Sequence, residues 1–317
     1  MLRADRAPLP PDVATELRDA LRRRQKELPA RWLAAVDAEA LHAGATSLPS
    51  HEHEQLERDL GLGLVRDALA EMRPRGIVCV KPSASSVNRT LTDALRERGS
   101  VTAIAAAELD TKLAIEMLDR VVTPGVRDSS SAIACDCTIE LPLPDTFPRP
   151  RVYLCLGNVL GATTAVGAVR MLRILRTTMT PTDAVILGLE TRNSSHVPGT
   201  VDSRFEAAAS RHLGALDLLN NTAGAAFDLS RFEYRSTFDS ENDRYETHLV
   251  ARRAIDVEVP GVCDVRFRRG ESIRTSVRCR FDRNRVTAMT AGVGLTIRNW
   301  VADPAGRFSV ALATATV

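Results

Sequence analysis

Between residues 76 and 190 the chain alternates two patterns. Short runs are apolar at nearly every position: GIVCV (76–80), VTAIAAAEL (101–109), SAIACD (131–136), PRVYLCLGN (150–158) and DAVILGLE (183–190). Longer segments at 90–99, 110–122 and 166–179 carry apolar residues every three or four positions. A strand that is apolar on both sides of its pleat is covered on both faces. The longer segments have helical spacing, and Gly99 is placed to end the first. Strand–helix repetition with right-handed crossovers predicts an α/β fold, a doubly wound, mostly parallel, Rossmann-like sheet.

The flanks read differently. Val13, Leu17 and Leu21 recur every fourth residue, and Leu56, Leu60, Leu64, Ala68 and Met72 form a second helical stripe before Pro74. After residue 190, SRFEAAASRHLGALDLLNN reads as a helix. The runs RFEYRSTF, RYETHLVARRAIDVEV, CDVRFRR and SIRTSVRCRF read as strands. Their connections are too short for helical crossovers, so they are expected to pair antiparallel. A helix near 283–291 and two strands around DPAG rejoin the first sheet. The predicted organisation is an N-terminal helical segment (1–60) packing with an inserted α+β domain (196–283), and a Rossmann-like domain (61–195 and 284–317).

Composition narrows the partners. The 317 residues carry 42 Lys+Arg against 40 Asp+Glu, a net charge of +2. That balance argues against nucleic acid or an anionic membrane as the main partner. No apolar run is long enough to span a bilayer, and the opening MLRADRAPLPPDV lacks the apolar core of a secretory signal. Six cysteines are scattered at 79, 135, 137, 155, 263 and 279, with neither disulfide-framework nor zinc spacing. A reducing cytoplasm is the expected compartment. HEHE (51–54) lacks zinc spacing and reads as a solvated helix start, so no metal site is expected.

Ligands of such sheets bind at the carboxyl ends of the strands, where strand order reverses. That selects the turn VKPSASSVN (80–88), Glu108, Asp136 and CLGNVLGATT (155–164). A nucleoside needs a close-approaching turn, a carboxylate for its ribose hydroxyls and a polar group for its base edge. Glu108 and Asp136 are spaced for the last two tasks. Each could instead cap the helix that follows it. His248 in YETHL is either a general base near neutral pH or a structural histidine.

The segments CLGNVLG, LGLE, FDLSRFEYRS, YETHL, FRRGESIRT and the terminal strand pair resemble the histidine-specific Nα-methyltransferases of ergothioneine biosynthesis. The resemblance covers roughly residues 75–317. It implies a class I S-adenosylmethionine-dependent methyltransferase fold with a late inserted substrate-binding domain. It further implies that Glu108 holds the ribose and Asp136 the adenine. Gly157 and Asn158 would form the floor between cofactor and substrate, under a cover made by the inserted sheet and the N-terminal helices.

The departures from that family bear on function. Its glycine-rich turn is here KPSASS, without glycine. Lys81 and Ser83 occupy the turn, and Lys81 either pairs with the cofactor carboxylate or fills its space. Ala162 stands where the family has a substrate-binding asparagine, and Val201 where it has a tyrosine. Ser276 and Arg278 replace its imidazole-reading acid and serine, and Thr247 replaces a methionine. A buried arginine repels a protonated imidazole and selects an anion. The leading expectation is thus a methyltransferase acting on a small, neutral or anionic metabolite other than histidine. The other is the same fold with the cofactor site lost, binding or transforming another ligand or serving as a scaffold.

Overall fold

The computed structural model describes residues 9–42, 51–69, 72–98, 101–122, 125–192 and 202–316. In chain order the elements are α1 (Pro11–Arg22), β1 (Lys26–Glu27), α2 (Ala30–His42), α3 (His51–Ala68), β2 (Gly76–Val80), α4 (Val87–Arg98), β3 (Ala103–Glu108), α5 (Thr111–Val121), β4 (Ser131–Ala134), β5 (Arg151–Cys155), α6 (Ala165–Thr178), β6 (Ala184–Glu190), α7 (Asp202–Ala223), β7 (Phe232–Asp239), β8 (Arg244–Ala251), β9 (Ile255–Val259), β10 (Cys263–Phe267), β11 (Ser272–Cys279), α8 (Arg283–Ala291), β12 (Leu295–Ala302) and β13 (Phe308–Ala315).

The chain forms two units: Ala45–Ser195 with Cys279–Val317, and Met1–Gly44 with His196–Arg278. In the first, seven strands lie in the order β12-β13-β6-β5-β2-β3-β4. Strands β2 to β6 pair parallel, and β13 pairs antiparallel with β6 and with β12. All residues of β2, β3, β5 and β6 are buried, because helices cover both faces. Ile77, Leu154 and Ile186 pack with Leu64 and Val65 of α3 and Leu91 and Leu95 of α4. On the other face Val78, Tyr153 and Val185 pack with Met171 and Leu172 of α6 and Val286 of α8.

The second unit holds a four-stranded sheet, β1-β11-β8-β7, and a two-stranded sheet of β9 and β10. Strands β7 and β8 pair antiparallel from Phe232↔Ala251 to Asp239↔Arg244. Its core joins Leu17 and Leu21 of α1, Trp32 and Leu33 of α2, and Leu216 and Leu219 of α7 to Phe232, Leu249, Phe267 and Ile273.

The architecture departs from the sequence reading in four places. The first boundary falls at 44/45 rather than 60/61, because α3 packs on the parallel sheet. The last falls at 278/279 rather than 283/284, because Phe281 N donates to Glu190 O (2.9 Å) and anchors that segment at the end of β6. Strand β1 pairs parallel with β11; it comes from far away in the chain, so no short connection constrains its direction. RYETHLVARRAIDVEV is two strands in two sheets, broken at the exposed pair Arg252–Arg253.

The amino edge of the large sheet is locked by Asp183, which is buried. Its carboxylate accepts from Arg151 N (2.6 Å), Thr180 N (2.7 Å) and Thr180 Oγ1 (3.0 Å), and pairs with the Arg149 guanidinium. Asp183→Ala leaves these donors without their acceptor, at a cost of about 3–5 kcal/mol. A urea denaturation midpoint should fall accordingly. Ligand affinity should persist wherever the variant is folded, since this edge is opposite the strands' carboxyl ends.

Candidate functional site at the carboxyl edge of the parallel sheet

Strand β2 lies between β3 and β5. Strand order therefore reverses between β2 and β5, and the turns that follow them border the position where such sheets bind ligands.

The turn after β2 is made without glycine. Lys81 takes the left-handed conformation, φ +49°, and Pro82–Ala84 form one turn of 3-10 helix. Five of its backbone donors are committed within the protein. Lys81 N donates to Ala107 O (2.8 Å), Ser83 N to Glu108 Oε1 (2.8 Å) and Ser85 N to Pro82 O (3.3 Å). Ser86 N donates to Glu54 Oε1 (2.9 Å) and Val87 N to Ser85 Oγ (3.2 Å). Pro82 has no N–H. Helix α4 thus begins with its first donors taken by a hydroxyl and a carboxylate of the chain itself, where an open helix start would offer them to an anion.

The second carboxylate at this edge is Glu57 of α3. In the sequence the leucines at 56, 60 and 64 mark the apolar stripe. In the structure Leu56 and Leu60 are only half-buried, and the fully buried line is His53, Glu57, Gly61, Leu64 and Val65. Positions four apart share a helix face, so the stripe is rotated by about one residue and carries a histidine and a glutamate inward. Glu57 Oε2 accepts from Ser85 Oγ (2.6 Å) and Oε1 from Gly157 N (2.7 Å). One carboxyl group therefore joins the turn after β2 to the turn after β5. Gly188 of β6 makes room for it: a Cβ there would stand 1.8 Å from Glu57 Oε1. Burial pushes the Glu57 carboxyl up to about 7, against its two hydrogen bonds and with further upward pressure from Glu54 and Glu190. His53 Nδ1 lies 3.1 Å from Glu190 Oε1. Glu57 was not singled out in the sequence. Its signal is the spacing 53–57–61–65, with glycine at 61, beside the more conspicuous leucines.

Glu108 ends β3 and is fully buried. Ser83 N holds Oε1, and Oε2 is buried without a hydrogen-bond partner. Burial raises the Glu108 carboxyl; Ser83 and the charge of Lys81 pull it back. Asp136 follows β4 and is half-buried, with Oδ1 accepting from Thr138 N and Thr138 Oγ1, both at 2.8 Å. The helix after β3 is capped by Asp110, not Glu108, so Glu108 is not spent as a cap. Gly157 and Asn158 are both left-handed, φ +71° and +57°. The Asn158 side chain turns into the protein, donating to Cys279 O (3.1 Å) and accepting from Glu190 N (3.3 Å). It shapes the turn and offers little to a ligand. The residues at this edge fit a nucleoside, since an orphaned buried carboxylate oxygen suits ribose hydroxyls.

Of the residues proposed for a substrate, Ala162 belongs to the first unit, and Thr247, Ser276 and Arg278 belong to the second. Ala162 is exposed and lies after β5; Val201 lies outside the described residues. Thr247, in β8, is buried beside Thr275, whose Oγ1 lies 2.7 Å from His212 Nδ1 and 3.2 Å from Thr247 O. Burial pushes His212 down to about 3, so it is neutral. Side chains alternate along a strand. Ser276 and Arg278 therefore share the side of Arg274, whose guanidinium pairs with Glu246 and Glu27. Thr247 points to the opposite side, with Thr275. His248 lies between Glu246 Oε2 and Ser272 Oγ, both at 3.1 Å, and burial lowers its pKa against the pull of Glu246. That is a structural bridge along the sheet.

Among the described residues no cluster of His, Cys, Asp or Glu could hold a metal, and no helix is long and apolar enough to cross a membrane. None of the six cysteines is in a disulfide; Cys135 and Cys137 face each other at 3.7 Å between sulfurs. His53 and Glu54 of HEHE face Glu190 and Ser86 rather than solvent or a metal.

The raised Glu57 pKa sets a sign for stability. In the folded state the proton is held up to about pH 7, whereas the unfolded chain loses it near the ordinary glutamate value. Its contribution is complete below that ordinary value and is lost as pH rises through about 7. Across this window the wild type should lose on the order of 3 kcal/mol relative to Glu57→Gln. Urea unfolding of both proteins from pH 4.5 to 7.5 measures the difference. A pH-independent difference would show that Glu57 titrates normally.

The profile of the family described as "Histidine-specific methyltransferase, SAM-dependent" matches residues 13–315. A histidine N-alpha-methyltransferase of Mycolicibacterium smegmatis is 26% identical over 302 residues, covering 94% of this chain and 93% of that protein. One of Mycobacterium tuberculosis is 27% identical over 302 residues, covering 92% of each. Among solved structures, the CcbJ methyltransferase of Streptomyces caelestis aligns with a TM-score of 0.52 at 14% identity, covering 86% of this chain and 100% of that one, a likeness of fold. With its order of strands, its two units and a match spanning nearly the whole length, the chain belongs to the histidine-specific, S-adenosylmethionine-dependent methyltransferase family.

Proposed function

We propose that the protein is an S-adenosylmethionine-dependent methyltransferase acting on a small metabolite other than histidine. The observation that carries the cofactor reading is the unpartnered Oε2 of Glu108, buried at the end of β3 beside a half-buried Asp136. Glu108 would accept from the ribose hydroxyls. Asp136 would take a base-edge donor, since only its Oδ1 is engaged by Thr138. The bound cofactor supplies an electrophilic sulfonium methyl. The chain's share is to fix that methyl in line with the acceptor and to exclude water, which accounts for much of the acceleration in such displacements. A neutral amine acceptor needs little help from a protein base.

The relatives are named for histidine. This chain differs from their pattern at Ala162, Ser276 and Arg278, where the resemblance expects an amide, an acid and a serine. Loss of an acid and gain of a guanidinium disfavour a protonated imidazole. A neutral or anionic small molecule fits this reading better, with neither nucleic acid nor membrane as partner and a cytoplasmic location.

A second reading is favoured by one observation. The turn after β2 has no glycine and five of its donors are committed, as expected if the cofactor site had been abandoned. Calorimetric titration with S-adenosylmethionine and S-adenosylhomocysteine decides between the two. Micromolar binding, weakened about tenfold or more by Asp136→Ala, is expected for loss of a ligand hydrogen bond from a charged group. No heat and no thermal shift at millimolar ligand would establish the abandoned site.

A further inference from the structure

We propose that this site recognises the amino-acid end of its adenosyl ligand by positive charge rather than by its carboxylate, with Glu57 as the residue that sets this preference. The inference rests on the cofactor reading above and adds which end group is read and by what.

A turn that binds a carboxylate presents free N–H groups, usually at a helix start. Here the N–H groups of Lys81, Ser83, Ser85, Ser86 and Val87 each have an acceptor in the protein, and Pro82 has none to give. At the start of α4 the anion is already present: it is the Glu54 carboxylate on Ser86 N. A ligand carboxylate arriving there would meet a like charge and find these five N–H groups already taken.

The same place is rich in acceptors. Glu57 lies across the β2–β5 junction, between Ser85 and Gly157, and Glu54 and Glu190 are near enough to act on its charge. A carboxylate has about four lone-pair positions. Glu57 spends two on Ser85 Oγ and Gly157 N, which leaves two for a donor from the ligand. An ammonium brings three donors and the charge that this group of acids lacks. Of the other groups facing this junction, His53 is held by Glu190. Lys81 is left-handed at the head of the turn, and its charge acts on Glu108 at the nucleoside end.

The test is calorimetry with three probes at pH 8: S-adenosylmethionine, its decarboxylated analogue, which keeps the sulfonium and an ammonium, and 5′-methylthioadenosine, which lacks both the amino-acid end and the sulfonium charge. With the wild type, the decarboxylated analogue should bind within about threefold of S-adenosylmethionine, and methylthioadenosine about tenfold or more weakly, as for loss of a charge-assisted contact. Glu57→Gln keeps the size and one acceptor oxygen, puts an NH2 donor in place of the other, and removes the charge that the carboxyl carries above about pH 7. It should weaken both cations about tenfold and leave methylthioadenosine within about twofold. If decarboxylation lowers affinity to the level of methylthioadenosine, the carboxylate is what is read, and the proposal is overturned without using any variant. If Glu57→Gln weakens all three probes equally, Glu57 is only structural and the proposal fails. If none of the three binds, the cofactor reading and this inference fall together.

Discussion

The structure of the site depends on a carboxyl group taken out of water where the parallel strands end. A buried acid without partners is expensive, so it must be hydrogen-bonded, neutralised or both. Glu57 meets that requirement with Ser85 Oγ, Gly157 N and a pKa pushed up to about 7. The neighbouring residues follow from this. Gly188 lacks a side chain because Glu57 occupies that space. Gly157 sits at φ +71°, which lets its N–H face inward. Gly61 lets α3 approach Leu91, where a Cβ would stand 2.9 Å from Leu91 Cδ1. These contacts hold α3 on the sheet and make it part of the unit that carries the nucleoside residues.

The turn after β2 shows how a backbone geometry can survive the loss of its usual residue. Left-handed φ at a non-glycine costs about 1–2 kcal/mol. Lys81 is held there by its N–H on Ala107 O, while Ser83 is tied to Glu108 and Ser85 to Pro82. The turn is therefore satisfied from inside the protein. A glycine-rich turn leaves some of that work to the phosphate or carboxylate of its ligand. The same shape with its donors already spent is an electrostatically different surface.

The large sheet was legible in the sequence because burial on both faces leaves uninterrupted apolar runs, and GIVCV, RVYLC and AVILGLE became β2, β5 and β6 within a few residues. Glu108 and Asp136 were legible as acids at strand ends, and the structure puts both at the carboxyl edge. Helix periodicity shows that α3 exists but not which neighbour it packs on. The leucine stripe pointed to one face, whereas Glu57 and Gly61 face the sheet. The antiparallel region was less legible still. Period-2 alternation cannot say that Arg252 and Arg253 separate two sheets, nor that β1 returns from residue 26 to pair with β11. A residue-by-residue resemblance carries no information on the pleat, and alternation along β8 and β11 puts Thr247 on the side opposite Ser276 and Arg278.

Family membership and recognition are set at different levels. The strand order and the insertion come from the apolar pattern over some three hundred residues, and they tolerate much substitution. What binds at the carboxyl edge is decided by a dozen polar atoms. Pro82 in the turn removes one backbone donor. Placing Glu54 on Ser86 N fills the helix start with a negative charge, and Glu57 adds a second acid one helical turn away. The two acids move the local potential toward cations, while the charge of Lys81 acts at Glu108, on the nucleoside side. A site so arranged would favour an ammonium over a carboxylate at the amino-acid end of its ligand. That ammonium persists in the thioether left after transfer, so the preference concerns how the ligand's end is held and is independent of how the acceptor is held.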